Sequence, residues 1–542
     1  MLFTSYEFLG FLFLALLVYY IVPKKAQSAV LLGFSYLFYF LSDGRALVFL
    51  LVTTVTVFFS AKKLGALHAS QEAYLKEHKA ELSREEKKAL KEDGLKKRRK
   101  WLLFGLLLNL GILAVCKYTN FAIANVNGIL HFFGQMEGFS PIDLLLPMGI
   151  SFYTFQSLGY LIDVYRGKYP PQESLYQYAL FVSFFPQMIQ GPISRYDDLS
   201  KTLYGPHYFD PAVLASGLQR VLWGYFKKLV IADRLLPAVN LIIRDPEQYH
   251  GAYAFAGMLL YALELYADFT GGIDITIGIA EAMGIKVREN FIRPYFSKTV
   301  KEYWNRWHIT MGSWFTDYIF YPVSVSGPML KLSKWGRAHL GNFVGKRLTV
   351  WVSCLIVWFA TGIWHGASWN FIAWGLGNCI ILLISQELEP FYRWFHNKVN
   401  AKLNPDANPT LYLDDRFGWK LFQILRTILL MSSLRMFDCY RDVPLTFQMF
   451  FSIFTTGNWK VLVDGSLLQL GLDMKDLIVI FGGLVLMVTV SLLQRKKSVR
   501  EQIRAFAYPA RFALWFGLFL VVLVLGAYGV GFDASQFIYN QF

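Results

Sequence analysis

The sequence predicts an all-α polytopic membrane protein, and three observations point there. Of 542 residues, 55% are hydrophobic and 17% aromatic, whereas only 17% carry charge; an ordinary globular chain has about 25% charged residues. Apolar runs that are long enough to cross a bilayer, or nearly so, recur along the whole chain. None alternates polar and apolar residues over about ten positions, as a membrane β-barrel strand does. Disorder, a coiled coil and an ordinary cytosolic enzyme are thereby excluded.

The runs fall near residues 7–22, 28–41, 46–60, 101–116, 142–162, 175–190, 212–232, 252–268, 347–363, 367–386, 418–434, 475–493 and 510–530. They amount to roughly 11–13 spans, all helical, because lipid offers no water to satisfy an open backbone. Runs shorter than the ~20 residues of a full crossing are expected to tilt or re-enter. Residues 9–22 resemble a signal-peptide core, but no small-residue cleavage site follows, so this run is read as a retained first span.

The formal net charge is +15. Such an excess suits either nucleic-acid binding or cytoplasmic membrane loops. The basic residues cluster at the ends of apolar runs, as at Lys24, Lys25, Lys62, Lys63, 96–100 and 495–497. The second reading is therefore adopted, and no nucleic-acid partner is expected. Residues 68–100 read as a solvated polar helix, with thirteen Lys and Arg across 62–100. The positive-inside rule places this arm in the cytoplasm. Counting back three spans puts the N-terminus outside. The basic stretch 495–504 is likewise cytoplasmic, so the last span carries the C-terminus outward and the number of spans is even. A Pro/Asn/Asp-rich stretch at 400–416 reads as a linker. The expected organisation is N-terminal spans 1–62, a charged arm 63–100, a catalytic membrane core 101–399, the linker 400–416 and a C-terminal bundle 417–542. Cys116, Cys354, Cys379 and Cys439 lie in or beside apolar runs at no zinc-ligand spacing, so neither a disulfide nor a metal site is expected.

Polar side chains within apolar runs are costly and mark candidate functional positions. The most polar membrane-like stretch is 261–323. There Asp268 and Asp274 flank Gly271 and Gly272. The pair is open to two readings: lining a cavity, binding a cation or orienting a histidine, or bonding to neighbours that only hold helices together. Residues 301–321 combine Trp, Tyr and charge around Asn305 and His308, the composition of an interfacial or re-entrant helix. His365 sits in a strongly apolar context beside Trp364. It is either a satisfied core histidine or an acid/base group with a pKa suited to proton transfer. No HExxH, GxxxxGK[ST] or GxSxG motif occurs, and no pair of similar halves suggests a transporter.

The sequence resembles the membrane-bound O-acyltransferase family, within it the bacterial branch of alginate O-acetylases and peptidoglycan O-acetyltransferases, related to lipoteichoic-acid D-alanyl transfer proteins. The resemblance rests on MGISFYTFQSLGYLIDVYRG (148–167), FFPQMIQGPISRY (184–196), GYFKKLVIADR (224–234), YADFTGGIDITIGIA (266–280), the block 290–322, GIWHGASWNFIAWG (362–375) and the closing FIYNQF (537–542). It implies helices around a central tunnel, with the catalytic membrane histidine at His365 and a second at His308. It implies transfer of an acyl group, most simply acetyl, from a cytoplasmic thioester such as acetyl-CoA to a cell-surface polysaccharide or peptidoglycan, with no bound cofactor or metal. An extracytoplasmic SGNH-hydrolase-type partner is implied, and the bacterial plasma membrane as location. Asp317 would fix local polar geometry; Lys227 and Lys228 would either meet donor phosphates or cap a helix end. Thr316 stands where the family commonly has arginine, and residues 323–327 replace its Gly/Arg-rich turn, which leaves the donor open. The alternatives are D-alanyl transfer from an acyl carrier protein to teichoic acid, and, in another class, a proton-coupled transporter or flippase.

Overall fold

The computed structural model describes residues 1–135, 138–403, 413 and 416–528. Most of the 400–416 linker and the closing FIYNQF therefore lie outside the described residues. Every predicted apolar run lies wholly or mostly on helix, and the described residues contain no strand. Among the described residues, six helical segments are long and apolar enough to cross a membrane: Lys24–Glu77, Arg84–Phe132, Gly327–His365, Trp369–Glu387, Met474–Leu493 and Tyr508–Leu525. The first holds two helices, Gln27–Asp43 and Leu47–Glu77. The runs at 142–162, 175–190 and 212–232 form shorter or interrupted helices. Pro186 and the helix-ending Phe184 divide the second of these into Leu175–Ser183 and Phe185–Met188, as a missing N–H and a fixed φ require. The chain is thus an all-α, multi-pass membrane protein.

The described chain forms two compact units. One comprises Met1–Val221 and Gly272–Arg288; the other comprises Leu222–Gly271 and the residues from Glu289 on. The core expected at 101–399 therefore contributes to both.

In the first unit, Leu47–Glu77 and Arg84–Phe132 form an antiparallel hairpin whose outer turns make the charged arm. Ser83 and Glu86 close the start of the second helix reciprocally: each side chain accepts the other residue's backbone N–H, which satisfies donors that a helix start leaves open. Deeper in the hairpin, Asn109 Nδ2 donates to Thr56 Oγ1 at 3.3 Å. The almost wholly buried helix Ile150–Tyr165 packs against both. It starts at Gly149, whose φ of 69° places it in the left-handed region, and a Cβ there would meet the Met188 carbonyl oxygen. Inside this unit Gln187 Nε2 donates to Gln156 Oε1, Gln156 Nε2 to the Phe181 carbonyl and Ser194 Oγ to Gln187 Oε1. These polar groups satisfy one another where water is absent.

In the second unit, Gly327–His365 is two helices merged across Gly341, where φ is 80°. Its last turns cross Trp369–Glu387 at close range: a Cβ at Gly375 would strike the Trp358 carbonyl oxygen, and one at Gly362 the Phe371 carbonyl oxygen. Small residues let helix backbones approach in this way in lipid. A π-helical stretch, Phe226–Ala232, packs on Met474–Leu493 and Tyr508–Leu525; the Ala527 N–H donates to the Leu229 carbonyl at 2.8 Å.

These crossings give a direct test. Gly375→Val has no room to relax because the obstacle is backbone, so it is expected to destabilise the protein by about 1–3 kcal/mol. At Gly111 an added Cβ would meet nothing within 4 Å, and Gly111→Ala should leave stability equal or higher by up to ~1 kcal/mol. Thermal unfolding of both variants in detergent checks the contrast.

Candidate active site

His365 is the last residue of its long helix. The chain leaves the helix at Gly366, where a Cβ would collide with the Phe371 ring, and re-enters helix at Trp369 after Ser368. This turn holds the half-buried imidazole against three rings. Trp374 lies edge-on at 4.6 Å between centroids, Trp364 at 5.2 Å and Phe371 nearly parallel at 6.4 Å.

His308 reaches the same cluster from another element. It caps the short helix Ile309–Phe315 and is 1% exposed. Its φ and ψ of 47° and 51° are left-handed, a conformation that costs a non-glycine residue about 1–3 kcal/mol unless its surroundings enforce it. Asn290 enforces it. The Asn290 carbonyl accepts the Ile309 N–H at 3.0 Å. Its side-chain Oδ1 accepts Thr310 N–H at 3.1 Å and Thr310 Oγ1–H at 2.8 Å, and lies 3.3 Å from His308 Nδ1. The Ile292 N–H adds a bond to the Arg306 carbonyl at 3.0 Å. The imidazole is thereby aimed at Phe269, 5.0 Å away, and at Trp364, 6.0 Å away. Trp364 therefore stands next to both histidines, which lie 57 residues apart in sequence.

Behind this cluster is a group that sequence reasoning missed. Arg435, 4% exposed, lies on the helix Phe417–Tyr440. Its Nη1 donates to Asp438 Oδ2 at 2.9 Å. The guanidinium carbon sits 4.9 Å from the Trp307 ring centre, 5.1 Å from Trp374 and 6.0 Å from Trp304. The only signal in the sequence was a charge pair at i, i+3 inside an apolar run. Asn290 left no comparable signal, since a lone Asn before a proline-containing loop reads as turn.

The predicted aspartates divide between the units. Asp268 is fully buried and pairs with Lys228 at 2.5 Å; Lys228 also pairs with Asp233 at 2.7 Å. Lys228 and the buried Lys227 lie in the π-helical stretch, a local widening that often marks functional sites. Gly271 permits this approach, because a Cβ there would meet the Gly224 carbonyl at 2.9 Å and Lys228 N at 3.2 Å. Asp268 adjoins Phe269, so the ion trio anchors the residue that faces His308. Asp274, in the first unit, accepts two bonds from Arg220 at 2.8 Å. Asp317 lies in a second π-helical stretch, Thr316–Phe320, and is exposed, as is Asn305. Trp369 is 59% exposed. At the surface beside Arg306, burial and then the Arg306 and Arg495 charges lower the Arg293 pKa from its ordinary value. Among the described residues no group of three His, Cys, Asp or Glu side chains could hold a metal ion.

An imidazole held at fixed geometry among apolar rings is equipped to accept a proton from a substrate hydroxyl. Because the Asn290 side chain faces three groups at once, Asn290→Ala should destabilise the protein by about 1–3 kcal/mol through unsatisfied buried donors. Removing one charge of a buried pair costs about 3–5 kcal/mol, so Asp268→Ala should be severe, whereas exposed Asn305→Ala should stay within about 0.5 kcal/mol. Denaturation midpoints of the three variants check this order.

Comparison with known proteins fits this geometry. Residues 172–406, which include both histidines, match the membrane-bound O-acyltransferase family. The chain is 33% identical to the probable alginate O-acetylase AlgI of Azotobacter vinelandii, over 85% of this chain and 79% of that protein. It is 32% identical to the peptidoglycan O-acetyltransferase of Helicobacter pylori, over 55% and 58% respectively. It is also 29% identical to the teichoic acid D-alanyltransferase of Bacillus subtilis, over 47% and 63%. A helical, multi-pass chain with two histidines joined through one tryptophan, similar over most of its length to such enzymes, belongs to the membrane-bound O-acyltransferase family and is an acyltransferase.

Proposed function

We propose that this enzyme transfers an acetyl group from a cytoplasmic thioester, with acetyl-CoA as the simplest donor, for O-acetylation of a cell-surface polysaccharide or peptidoglycan. The observation that carries the reading is the convergence of His365 and His308 on Trp364 within one water-poor aromatic cluster. A hydroxyl and a thioester on opposite sides of a membrane meet only through a passage in the protein, and exclusion of water there prevents hydrolysis.

In this mechanism the acceptor oxygen attacks the thioester carbonyl carbon while His365 takes the hydroxyl proton. The carbon–sulfur bond breaks, the thiolate leaves, and the proton returns to it as thiol. His308 orients the donor or completes the proton path. Lys227 and Lys228 are both buried, and Lys228 is paired with two carboxylates, which favours a scaffolding role over contact with donor phosphates. No cofactor is required beyond the donor. The partner is an extracytoplasmic SGNH-hydrolase-type protein that completes transfer to the polymer. The enzyme resides in a bacterial plasma membrane, with arm 63–100 cytoplasmic and the N-terminus outside, as the basic residues at run ends favour.

D-alanyl transfer from an acyl carrier protein to teichoic acid is the second reading, supported by the similarity to D-alanyltransferases. That similarity spans 47% of the chain, against 85% for the alginate relative, which favours acetyl.

His365→Ala is expected to reduce polymer-bound acetyl ester by roughly 10²–10⁴-fold, measured by mild alkaline release from cells whose membranes hold the folded variant. Alkali-released D-alanine in place of acetate would assign the second reading. Unchanged ester content would reject His365 as the base.

A further inference from the structure

We infer that Arg435 is a positioning residue, a buried planar wedge that sets the His308 and His365 segments relative to each other for the acyl transfer proposed above. Three observations carry this. The guanidinium faces Trp307, which adjoins His308, and Trp374, which touches His365. It therefore stands between the two histidine-bearing segments while belonging to neither. The same turn of the Phe417–Tyr440 helix makes a second clamp: Asn370 Nδ2 donates to the Phe437 carbonyl at 3.0 Å, and Ser368 Oγ donates to Asn370 Oδ1. This fixes the turn that follows His365. Finally, Asp438, one helical turn from Arg435, pairs with it and keeps the fork in place.

A purely structural role accounts poorly for the choice of residue. Removing a guanidinium and a carboxylate from water costs several kcal/mol each, and apolar residues of similar volume usually hold helices together at least as well. What the guanidinium adds is a rigid flat cation that attracts aromatic faces on more than one side. It can seat two indoles at a fixed separation, which a branched aliphatic side chain does not. Trp304 completes the seat, 4.9 Å from Trp358 and 5.8 Å from Trp374, so the wedge also reaches the helix that ends in His365. A displacement of about 1 Å at a reacting group costs on the order of 100-fold in rate, so such a wedge acts on turnover as well as on folding.

The test uses the full-length protein in detergent, with Arg435→Gln, Arg435→Lys and Asp438→Asn. One readout needs no substrate: the rates at which diethyl pyrocarbonate modifies His308 and His365, followed by peptide mass spectrometry. The other is kcat and KM for acetyl-CoA with the acceptor fraction of cell envelopes. Arg435→Gln should accelerate modification of both histidines at least tenfold and lower kcat by roughly 100-fold with KM within about threefold; because it leaves the Asp438 carboxylate buried without the Arg435 charge, it should also lower the melting temperature. Arg435→Lys, which keeps the charge without the flat fork, should recover less than a tenth of the lost turnover. Should Arg435→Gln fail to fold, Asp438→Asn is judged by the same criteria, with smaller effects in the same direction. Folded variants whose modification rates stay within twofold of the parent, or full recovery by lysine, would overturn the inference. If the parent does not use acetyl-CoA, the acetyl reading fails, and the modification rates still decide the role of Arg435.

Discussion

The structure depends on one constraint: inside a chain this apolar, polar groups must find partners within the protein. Lipid supplies none. Polar residues that the sequence places among apolar neighbours are therefore bound to one another around the site, and several of the bonds that result are long-range in sequence. Asn290 holds the turn at His308, Lys228 draws Asp268 and Asp233 together, and Arg435 with Asp438 fills the space behind Trp374. What would be solvated surface in water becomes the fixed frame of the site here. The geometry around the histidines follows from satisfying the buried polar groups beside them.

That constraint also separates what was legible in the sequence from what was not. Apolar periodicity is a local property, so the helices at 28–41, 347–363 and 475–493 could be placed from their own residues. His365 stands out against its apolar neighbours, whereas His308 lies in a polar, aromatic stretch and was singled out by the family resemblance. Which run crosses a full bilayer was less legible, since the buried helix Ile150–Tyr165 lies in a run that reads as a span yet is only 16 residues long. Asn290 and Arg435 were invisible for a different reason. Their importance lies in partners 18 to 20 and 131 or fewer residues away, and spacing carries no trace of such pairings. Asn305 and Asp317 sit near His308 in sequence and are both exposed.

The two aspartates that read alike in sequence illustrate the same point. Asp268 and Asp274 flank a pair of glycines on one helix, six positions apart, and nothing local distinguishes them. Asp268 is fully enclosed and answers a lysine of the π-helical stretch; Asp274 answers Arg220 in the other unit and keeps some exposure. The glycines explain how close packing is reached on either side. Gly271 admits the backbone around Gly224 and Lys228, and Gly272 admits the Gln190 side chain. Neither glycine is used for backbone freedom. They are small so that a polar group can come close enough to be satisfied.

The aromatic excess takes on a specific meaning once these pairings are fixed. Rings near the site do more than fill volume. Trp364 lies between two imidazoles, Phe371 lies nearly parallel to one, and Trp307, Trp374 and Trp304 surround a cation. Indole and phenyl rings have few rotatable bonds, so they transmit position better than aliphatic side chains do. They also offer electron-rich faces to positive charge without supplying a carboxylate that would compete for a proton. An imidazole enclosed by rings is therefore held in place. A wall of carboxylates would have positioned the imidazoles as firmly while trapping them as ion pairs. The fold instead keeps its buried charges further back, behind Trp374 and behind Phe269, where they brace the rings.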